Sequence, residues 1–333
     1  MVRILITGAS GFVGYHSSLR LSNNHSYELV LIDSLNPLFP THLTAVRREK
    51  LKVAGMKIHI IDLATTSPID LFRMVGKVEI VLNLAAFPGV RLSPEQGIQV
   101  FENNTRSFEN IAQYCQISKA KLLYASSSSI YGDEGLHGSC KEVDAIEFNG
   151  KGAYSLSKWQ NERAALEHFH SKSLESLGLR FFSVFGTYGR KDMAYYKFAE
   201  HISKGEPITV FESVNDRRDY TPIEYVVDDI EYLIQKILNQ SDFIMNSVCA
   251  YDNLPILNVG LGQPKSLGEL ISLYEHYFNR SAIIINQPRK SMESKQTWSN
   301  NDKRNSLLPA RAILEFNQML YIFAKWYEES EDS

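Results

Sequence analysis

The chain has 333 residues, of which 44% are hydrophobic and 22% charged, a composition ordinary for a globular protein with a sizeable core. Its net charge of −3 and short basic runs argue against a nucleic-acid-binding protein, and no apolar run reaches membrane-spanning length. Three widely spaced cysteines predict neither a disulfide framework nor a metal site, and with no signal peptide before the first strand they predict a cytoplasmic protein.

The chain begins with the pattern of a buried strand, a glycine turn and a helix. Gly8 allows a sharp turn, Gly11 leaves room for a pyrophosphate beside the backbone, and Gly14 lets the helix approach the strand. The first turn of this helix holds Phe12 and Val13, where amide groups and the positive dipole end favour a phosphate. The pattern predicts a dinucleotide site, the alternative being an empty structural turn.

A second strand at 28–32 ends in Asp33, about twenty residues after the glycines, where an acid binds ribose hydroxyls. This carboxylate repels the 2′-phosphate of NADP, so the predicted cofactor is NAD. Asn36, in the following loop, is a further candidate for contact with the cofactor. A charged helix is predicted around 42–52, and we interpret residues 47–50 as its solvated face.

Strands and helices then alternate, which predicts an α/β fold with a doubly wound parallel (Rossmann) sheet and ligands at the carboxyl ends of its strands. Cofactor-side candidates follow the third and fourth strands: Asp62, Leu63, Ala85 and Ala86. The predicted strands lie at 57–61, 78–84, 121–125 and 179–184, and the predicted helices at 71–75, 94–118 and 153–176.

Beyond Phe185 this alternation stops, which indicates a smaller second domain interleaved with the first. We expect an NAD-binding domain over 1–185 with a returning segment at about 226–262, and a smaller substrate-binding domain from 186–225 and 263–333. Helices are predicted at 194–204, 228–239, 267–278 and 310–327, and strands at 207–211, 254–259 and 282–286.

Tyr154 and Lys158 are four residues apart and therefore share one face of a helix. A lysine ammonium beside a phenol lowers the tyrosine pKa from about 10 toward the working pH, which creates a base for a sugar hydroxyl. Ser127, at the end of the fifth strand, is placed to bond the same oxygen. Tyr321 and Lys325 have the same spacing, but no serine cluster or glycine turn surrounds them.

With these motifs the chain resembles, over nearly its whole length, an extended short-chain dehydrogenase/reductase of the nucleotide-sugar epimerase kind. The branch it is most similar to is the UDP-glucuronate 4-epimerases. Three segments carry the resemblance: AAFPGVRLS at 85–93, RFFSVFGTYGRKDMAYYKF at 180–198, and the stretch 208–220 that ends in Arg218-Asp219-Tyr220.

The resemblance implies a role for several polar residues. Arg218 would bind the UDP phosphates, and Asn104 would stabilise the position of the cofactor-side helix. Ser183 and Arg190 would face the C6 carboxylate of the sugar, with Arg91 also on the sugar side. A homodimer through the helices 94–118 and 153–176 is implied in the same way.

Two segments differ from the family pattern. Extra residues follow Tyr220, and the sequence at 287–291 replaces the usual phosphate loop. Arg289, in that loop, is interpreted either as a phosphate contact or as a solvated surface arginine.

The serines after the fifth strand bear on the reaction. Related dehydratases and decarboxylases have an acid where this chain has Ser129, and dehydratases have another at Ser128. Without these acids, oxidation at C4, rotation of the 4-keto sugar and re-reduction remain. The resemblance to the UDP-glucuronate 4-epimerases then implies conversion of UDP-glucuronate to UDP-galacturonate. One alternative is a 4-epimerase of a neutral UDP-hexose or UDP-N-acetylhexosamine, and another is a catalytically silent NAD-binding regulatory module.

Overall fold

The computed structural model describes residues 1–35, 42–89, 93–133, 138–211, 213–288, 296–312 and 314–331. The strands are β1 (Val2–Thr7), β2 (Tyr27–Asp33), β3 (Ile58–Ile60), β4 (Ile80–Asn83), β5 (Lys121–Ser127), β6 (Ser176–Phe181), β7 (Ser183–Phe185), β8 (Pro207–Phe211), β9 (Arg217–Arg218), β10 (Tyr220–Pro222), β11 (Ile256–Val259), β12 (Lys265–Ser266), β13 (Ile283–Gln287) and β14 (Gln296–Thr297). The helices are α1 (Phe12–Ser22), α2 (His42–Val53), α3 (Pro68–Val75), α4 (Pro94–Ser118), α5 (Gly152–His170), α6 (Ala194–Lys204), α7 (Ile223–Asn239), α8 (Cys249–Asp252), α9 (Leu267–Phe278), α10 (Asp302–Leu307) and α11 (Phe316–Glu331).

Seven strands form one parallel sheet in the order β11-β6-β5-β4-β1-β2-β3. The order reverses between β1 and β4, which is the switch point where doubly wound sheets bind their ligands. The predicted fold class is confirmed, and so is the returning strand, because β11 pairs with β6 at the sheet edge.

Alternate residues of each strand pack on opposite faces of the sheet. Ile4 and Ile6 belong to a core with α1 and α7, whereas Leu5 belongs to a core with α3 and α4. A third core joins α6, α9 and α11 around Tyr195 and Phe323. Because both faces are covered, the polar ends of the strands are the exposed edge at which a site can form.

Two predicted elements near the site have different bounds. The helix predicted to reach Ser176 ends at His170, because Lys172 adopts a left-handed φ of 56° and Ser176 already begins β6. The single strand predicted at 179–184 is two strands, and the second, β7, leaves the main sheet to pair with β10. The chain therefore turns at Phe182 toward the loop that carries Arg190.

No described helix has both the length and the apolarity needed to cross a membrane. Within the same described ranges, no three His, Cys, Asp or Glu side chains are grouped to hold a metal ion.

Candidate active site

The glycine turn is packed too tightly for side chains. Gly8 has a φ of 64°, and a Cβ there would lie 2.9 Å from the backbone of Ala85. A Cβ on Gly14 would lie 2.1 Å from the carbonyl oxygen of Gly8, and one on Gly11 would lie 2.9 Å from the same oxygen. Only glycine lets α1 begin this close to β1, so its amide end faces the sheet edge.

Asp33 holds this turn from the end of β2. Its carboxylate accepts hydrogen bonds from the backbone N–H of Ser10 at 2.8 Å and of Leu35 at 3.2 Å. The Ser10 hydroxyl is buried and has no hydrogen-bond partner among the described residues. Phe12 and Val13 open α1, where backbone N–H groups lack intrahelical acceptors. A cradle without side chains, an unpartnered hydroxyl and a carboxylate fit the diphosphate and ribose of NAD.

The other cofactor-side candidates lie along the same edge. The Ala85 N–H donates to Thr7 Oγ1 at 3.1 Å, which places Ala85 and Ala86 beside the glycine turn. Asp62 follows β3 and accepts from the Ala64 N–H at 2.9 Å, while the Leu63 carbonyl accepts from the Asn110 side chain at 2.7 Å. Three candidates fall outside the described residues: Asn36, Arg91 and Arg289.

The three predicted catalytic residues are close together. Ser127 ends β5, and its hydroxyl is hydrogen-bonded to Tyr154 and lies 2.9 Å from Ser129 Oγ. Lys158, one turn along α5, is 2% exposed and donates to the Ala125 carbonyl at 2.9 Å. Its Nζ is 5.9 Å from the centroid of the Tyr154 ring. A hydroxyl, a phenol and an ammonium thus converge where β5 ends.

Asn104 ties three elements together behind this group. It accepts from the Phe87 N–H at 2.7 Å and donates at 3.1 Å both to the Phe87 carbonyl and to Ser157 Oγ. Because Phe87 follows β4 and Ser157 lies beside Lys158 on α5, this amide sets the position of α5 relative to the loop beyond β4.

The electrostatics of Tyr154 differ from the expectation. Burial raises the pKa of Tyr154, while the positive charge of Arg190 and the hydrogen bond from Ser127 act to lower it. Burial also lowers the pKa of Lys158 to about 8, with Glu162 opposing that change. Arg190 is therefore a further cation that favours the phenolate, in addition to Lys158, whose Nζ lies 5.9 Å from the Tyr154 ring.

Arg190 is held by a carboxylate on the next turn of chain. Its Nε and one Nη donate to Asp192 at 3.0 and 2.5 Å. Ser183, on β7, donates its N–H to the carbonyl of Asp219 at 3.0 Å, and Arg218 lies on β9 with Nη1 bonded to the Arg217 carbonyl at 2.8 Å. Of the arginines in the described residues that the resemblance assigns to substrate, Arg190 is the one whose charge acts on Tyr154.

Sequence reasoning missed several buried polar residues around this site. Asp219 is fully buried and accepts from Leu261, Gly262 and Ser299, which fixes the strand after Arg218. Glu162 is buried on α5 and accepts from Ser126 and from Arg180. Its spacing of four from Lys158 was the available signal.

The interpretation of residues 47–50 as a solvated face is wrong for Arg47. Arg47 is 4% exposed, and its guanidinium bonds the carbonyls of Ser10 and Tyr188, both at 2.7 Å. The buried face of α2 is Leu43, Arg47 and Leu51, and their spacing of four residues was the sign that Arg47 points inward.

Comparison with known proteins gives a family and several full-length relatives. The model of a family described as the NAD dependent epimerase/dehydratase family matches residues 4–246. An uncharacterized protein of Methanocaldococcus jannaschii is 31% identical over 99% of this chain and 97% of its own length. UDP-glucuronate 4-epimerase 2 of Arabidopsis thaliana is 31% identical over 98% of this chain and 76% of its own length.

Solved structures share the fold. The crystal structure of UDP-glucuronic acid 4-epimerase from Bacillus cereus in complex with UDP-glucuronic acid and NAD is 23% identical, with a TM-score of 0.86. The match covers 99% of this chain and all of the other.

Proposed function

Because the chain belongs to the NAD dependent epimerase/dehydratase family, close to the UDP-glucuronate 4-epimerases, we propose that it interconverts UDP-glucuronate and UDP-galacturonate. The chain is an NAD-dependent nucleotide-sugar epimerase, and its substrate class is a UDP-sugar. The proposed preference for a uronic acid rests on one observation. The positive charge of Arg190 lowers the pKa of the Tyr154 phenol, so this guanidinium is close enough to the phenol to bind a carboxylate on the same sugar.

The glycine cradle and Asp33 would hold NAD, which would supply the acceptor and the donor of the C4 hydride. Tyr154 takes the proton of the C4 hydroxyl, with Ser127 hydrogen-bonded to it and Arg190 stabilising the phenolate. Lys158 uses one of its three N–H groups on Ala125, which leaves two to orient the cofactor ribose. After the 4-keto sugar turns about its pyrophosphate link, the opposite face of C4 is presented to the cofactor, and Tyr154 gives the proton back to the C4 oxygen.

The serines after β5 support epimerisation over elimination. Ser129 Oγ lies 2.9 Å from Ser127 Oγ, so a hydroxyl stands where the resemblance puts an acid in dehydratases and decarboxylases. A serine hydroxyl is too weak an acid to expel water from the sugar, and it carries no charge to assist loss of carbon dioxide.

A 4-keto uronate is a β-keto acid and loses carbon dioxide when its carboxylate bond aligns with the carbonyl π-system. Arg190 has five N–H groups, of which Asp192 uses two, so donors remain to hold a carboxylate out of that alignment. Ser183 and Arg218 complete the proposed substrate site on β7 and β9, and Arg91 is added from the resemblance. Arg289, in the loop that differs from the family pattern, is a candidate phosphate contact.

A second candidate is a neutral UDP-hexose or UDP-N-acetylhexosamine as substrate. The ion pair between Arg190 and Asp192 favours it, because the arginine charge is already balanced without a substrate carboxylate. If this ion pair stays intact when substrate binds, a sugar with an uncharged C6 group fits the site without displacing Asp192 from Arg190.

The test is a panel of UDP-glucuronate, UDP-glucose and UDP-N-acetylglucosamine, with the C4 epimer of each separated and quantified. We expect kcat/KM for UDP-glucuronate to exceed the other two by about tenfold or more, since a charge-assisted bond contributes about 1.5–3 kcal/mol. Faster conversion of a neutral sugar would support the second candidate, and conversion of none would support the silent module. The Tyr154→Phe variant is the control that assigns the product to this site.

We also propose a homodimer that associates through α4 and α5. Exposed apolar side chains on these helices support it: Ile98, Ile117 and Leu156. Sedimentation velocity of the wild type and of Ile98→Asp measures this directly. We place the dimer in the cytoplasm, the compartment that the low cysteine content favours.

A further inference from the structure

One buried guanidinium lies between the cofactor cradle and the loop that carries Arg190. Arg47 Nε donates to the Ser10 carbonyl at 2.7 Å, and Nη1 donates to the Tyr188 carbonyl at 2.7 Å. Its second Nη donates to Thr44 Oγ1 at 3.1 Å, on the same helix. A single buried, planar guanidinium therefore bonds the backbone of the glycine turn and the backbone two residues before Arg190.

Each end of this connection is itself held. The Ser10 N–H donates to Asp33 and the Ser10 carbonyl accepts from Arg47, so both backbone polar groups of Ser10 are held by charged side chains. Tyr188 has a φ of 56°, a left-handed conformation that a bulky residue rarely adopts without support. Its ring packs against Tyr15 and Trp326, with centroids 5.4 and 4.9 Å apart. The loop that contains Tyr188 therefore packs against α1, the helix that begins at the glycine turn.

We propose that Arg47 is a positioning residue that sets the Arg190 loop relative to the NAD cradle, so that the C6 end of the sugar and the cofactor keep a fixed separation. This inference rests on the proposed function for the part that concerns the uronate. Arg47 touches neither sugar nor cofactor in this account; it acts through the carbonyls of Ser10 and Tyr188. Removing it leaves both carbonyls without their charged donor, and small displacements of positioning groups lower rates strongly.

A matched pair of variants tests the proposal, because Arg47 and its neighbour Arg48 differ in burial. Arg48 is exposed, so Arg48→Met removes the same charge at the surface. We expect Arg47→Met to weaken NAD binding to the cofactor-stripped protein by about tenfold or more, measured by calorimetry, while Arg48→Met stays within about twofold. Arg47→Lys, which keeps the charge but bonds at one point, should fall between them and serves if Arg47→Met does not fold.

A double-mutant cycle tests the action through Arg190. In the wild-type background, Arg47→Met should lower the preference for UDP-glucuronate over UDP-glucose. In the Arg190→Ala background, adding Arg47→Met should leave that preference unchanged. Unchanged NAD affinity in Arg47→Met, or preference losses that simply add in the double variant, would overturn the proposal. If the wild type shows no preference for the uronate, the proposed function fails instead, and the NAD-affinity comparison still decides the role of Arg47.

Discussion

Replacing Lys158 by methionine should abolish catalysis while changing the pH dependence of stability in a defined direction. Lys158 is 2% exposed, and burial lowers its pKa to about 8 from the ordinary 10.5. Methionine has a similar length and carries no charge. The variant therefore removes a buried ammonium together with its bond to the Ala125 carbonyl.

The size of the effect follows from the two pKa values. The pKa of Lys158 is lower in the folded protein than in the unfolded chain. At pH values below both pKa values, the protonated Lys158 therefore lowers the free energy of unfolding of the wild type by about 3 kcal/mol. That penalty is relieved as the pH rises from about 8 toward 10.5, where the folded protein has lost the proton and the unfolded chain still holds it. Leaving the Ala125 carbonyl unpaired costs the variant about 1–3 kcal/mol, so the two proteins should be close in stability at neutral pH.

The assay is urea denaturation of both proteins without cofactor at several pH values. Between about pH 7 and pH 9.5 the wild type should gain about 2 kcal/mol relative to Lys158→Met, because other titrations cancel in the difference. If the stability difference between the wild type and Lys158→Met does not change with pH, the pKa of Lys158 is not lowered in the folded protein, and its ammonium is not buried. Retained activity in the variant would refute the role of Lys158 in positioning the cofactor.

Four further outcomes are expected. Tyr154→Phe should lower kcat about 10²–10⁴-fold without loss of fold, whereas Tyr321→Phe should change initial rates by less than about twofold; the reverse result would move the active site. Arg190→Ala should lower kcat/KM for UDP-glucuronate about 10- to 150-fold and that for UDP-glucose much less, and equal losses would remove the carboxylate role. The same variant should shift the limb of the kcat profile that rises with pH to higher pH, because Tyr154 acts as the base and Arg190 lowers its pKa. NADP should bind about tenfold or more weakly than NAD in equilibrium dialysis, since Asp33 repels its 2′-phosphate, and equal affinity would contradict that reading of the turn.

Local pattern was enough to predict the sheet, the glycine turn and the convergence of Ser127, Tyr154 and Lys158. These features depend on chain order, because consecutive parallel strands bring their carboxyl ends to one edge. The bounds of α4 were predicted to the residue, since Ser93 and Pro94 open it and Lys119 ends it in a left-handed conformation.

Features that depend on contacts between distant segments were not predictable in the same way. Spacing alone put Lys158 beside Tyr154, but it gave no measure of burial, which raises the pKa of Tyr154. Arg47 looked like part of a solvated basic run because its two acceptors, in the glycine turn and at Tyr188, lie 37 and 141 residues away in sequence. The split of β6 and β7 likewise depends on β10, which follows much later in the chain.

In the proposed reaction, one site oxidises and re-reduces C4 of a UDP-uronate without loss of its carboxylate. UDP-glucuronate with deuterium at C4, incubated with the protein in ordinary water, tests this claim in a single mass and NMR measurement. We expect UDP-galacturonate that retains both the deuterium at C4 and the carboxylate, because the hydrogen taken from C4 returns to the same carbon. Deuterium lost to water, or a pentose product released with carbon dioxide, would contradict the account.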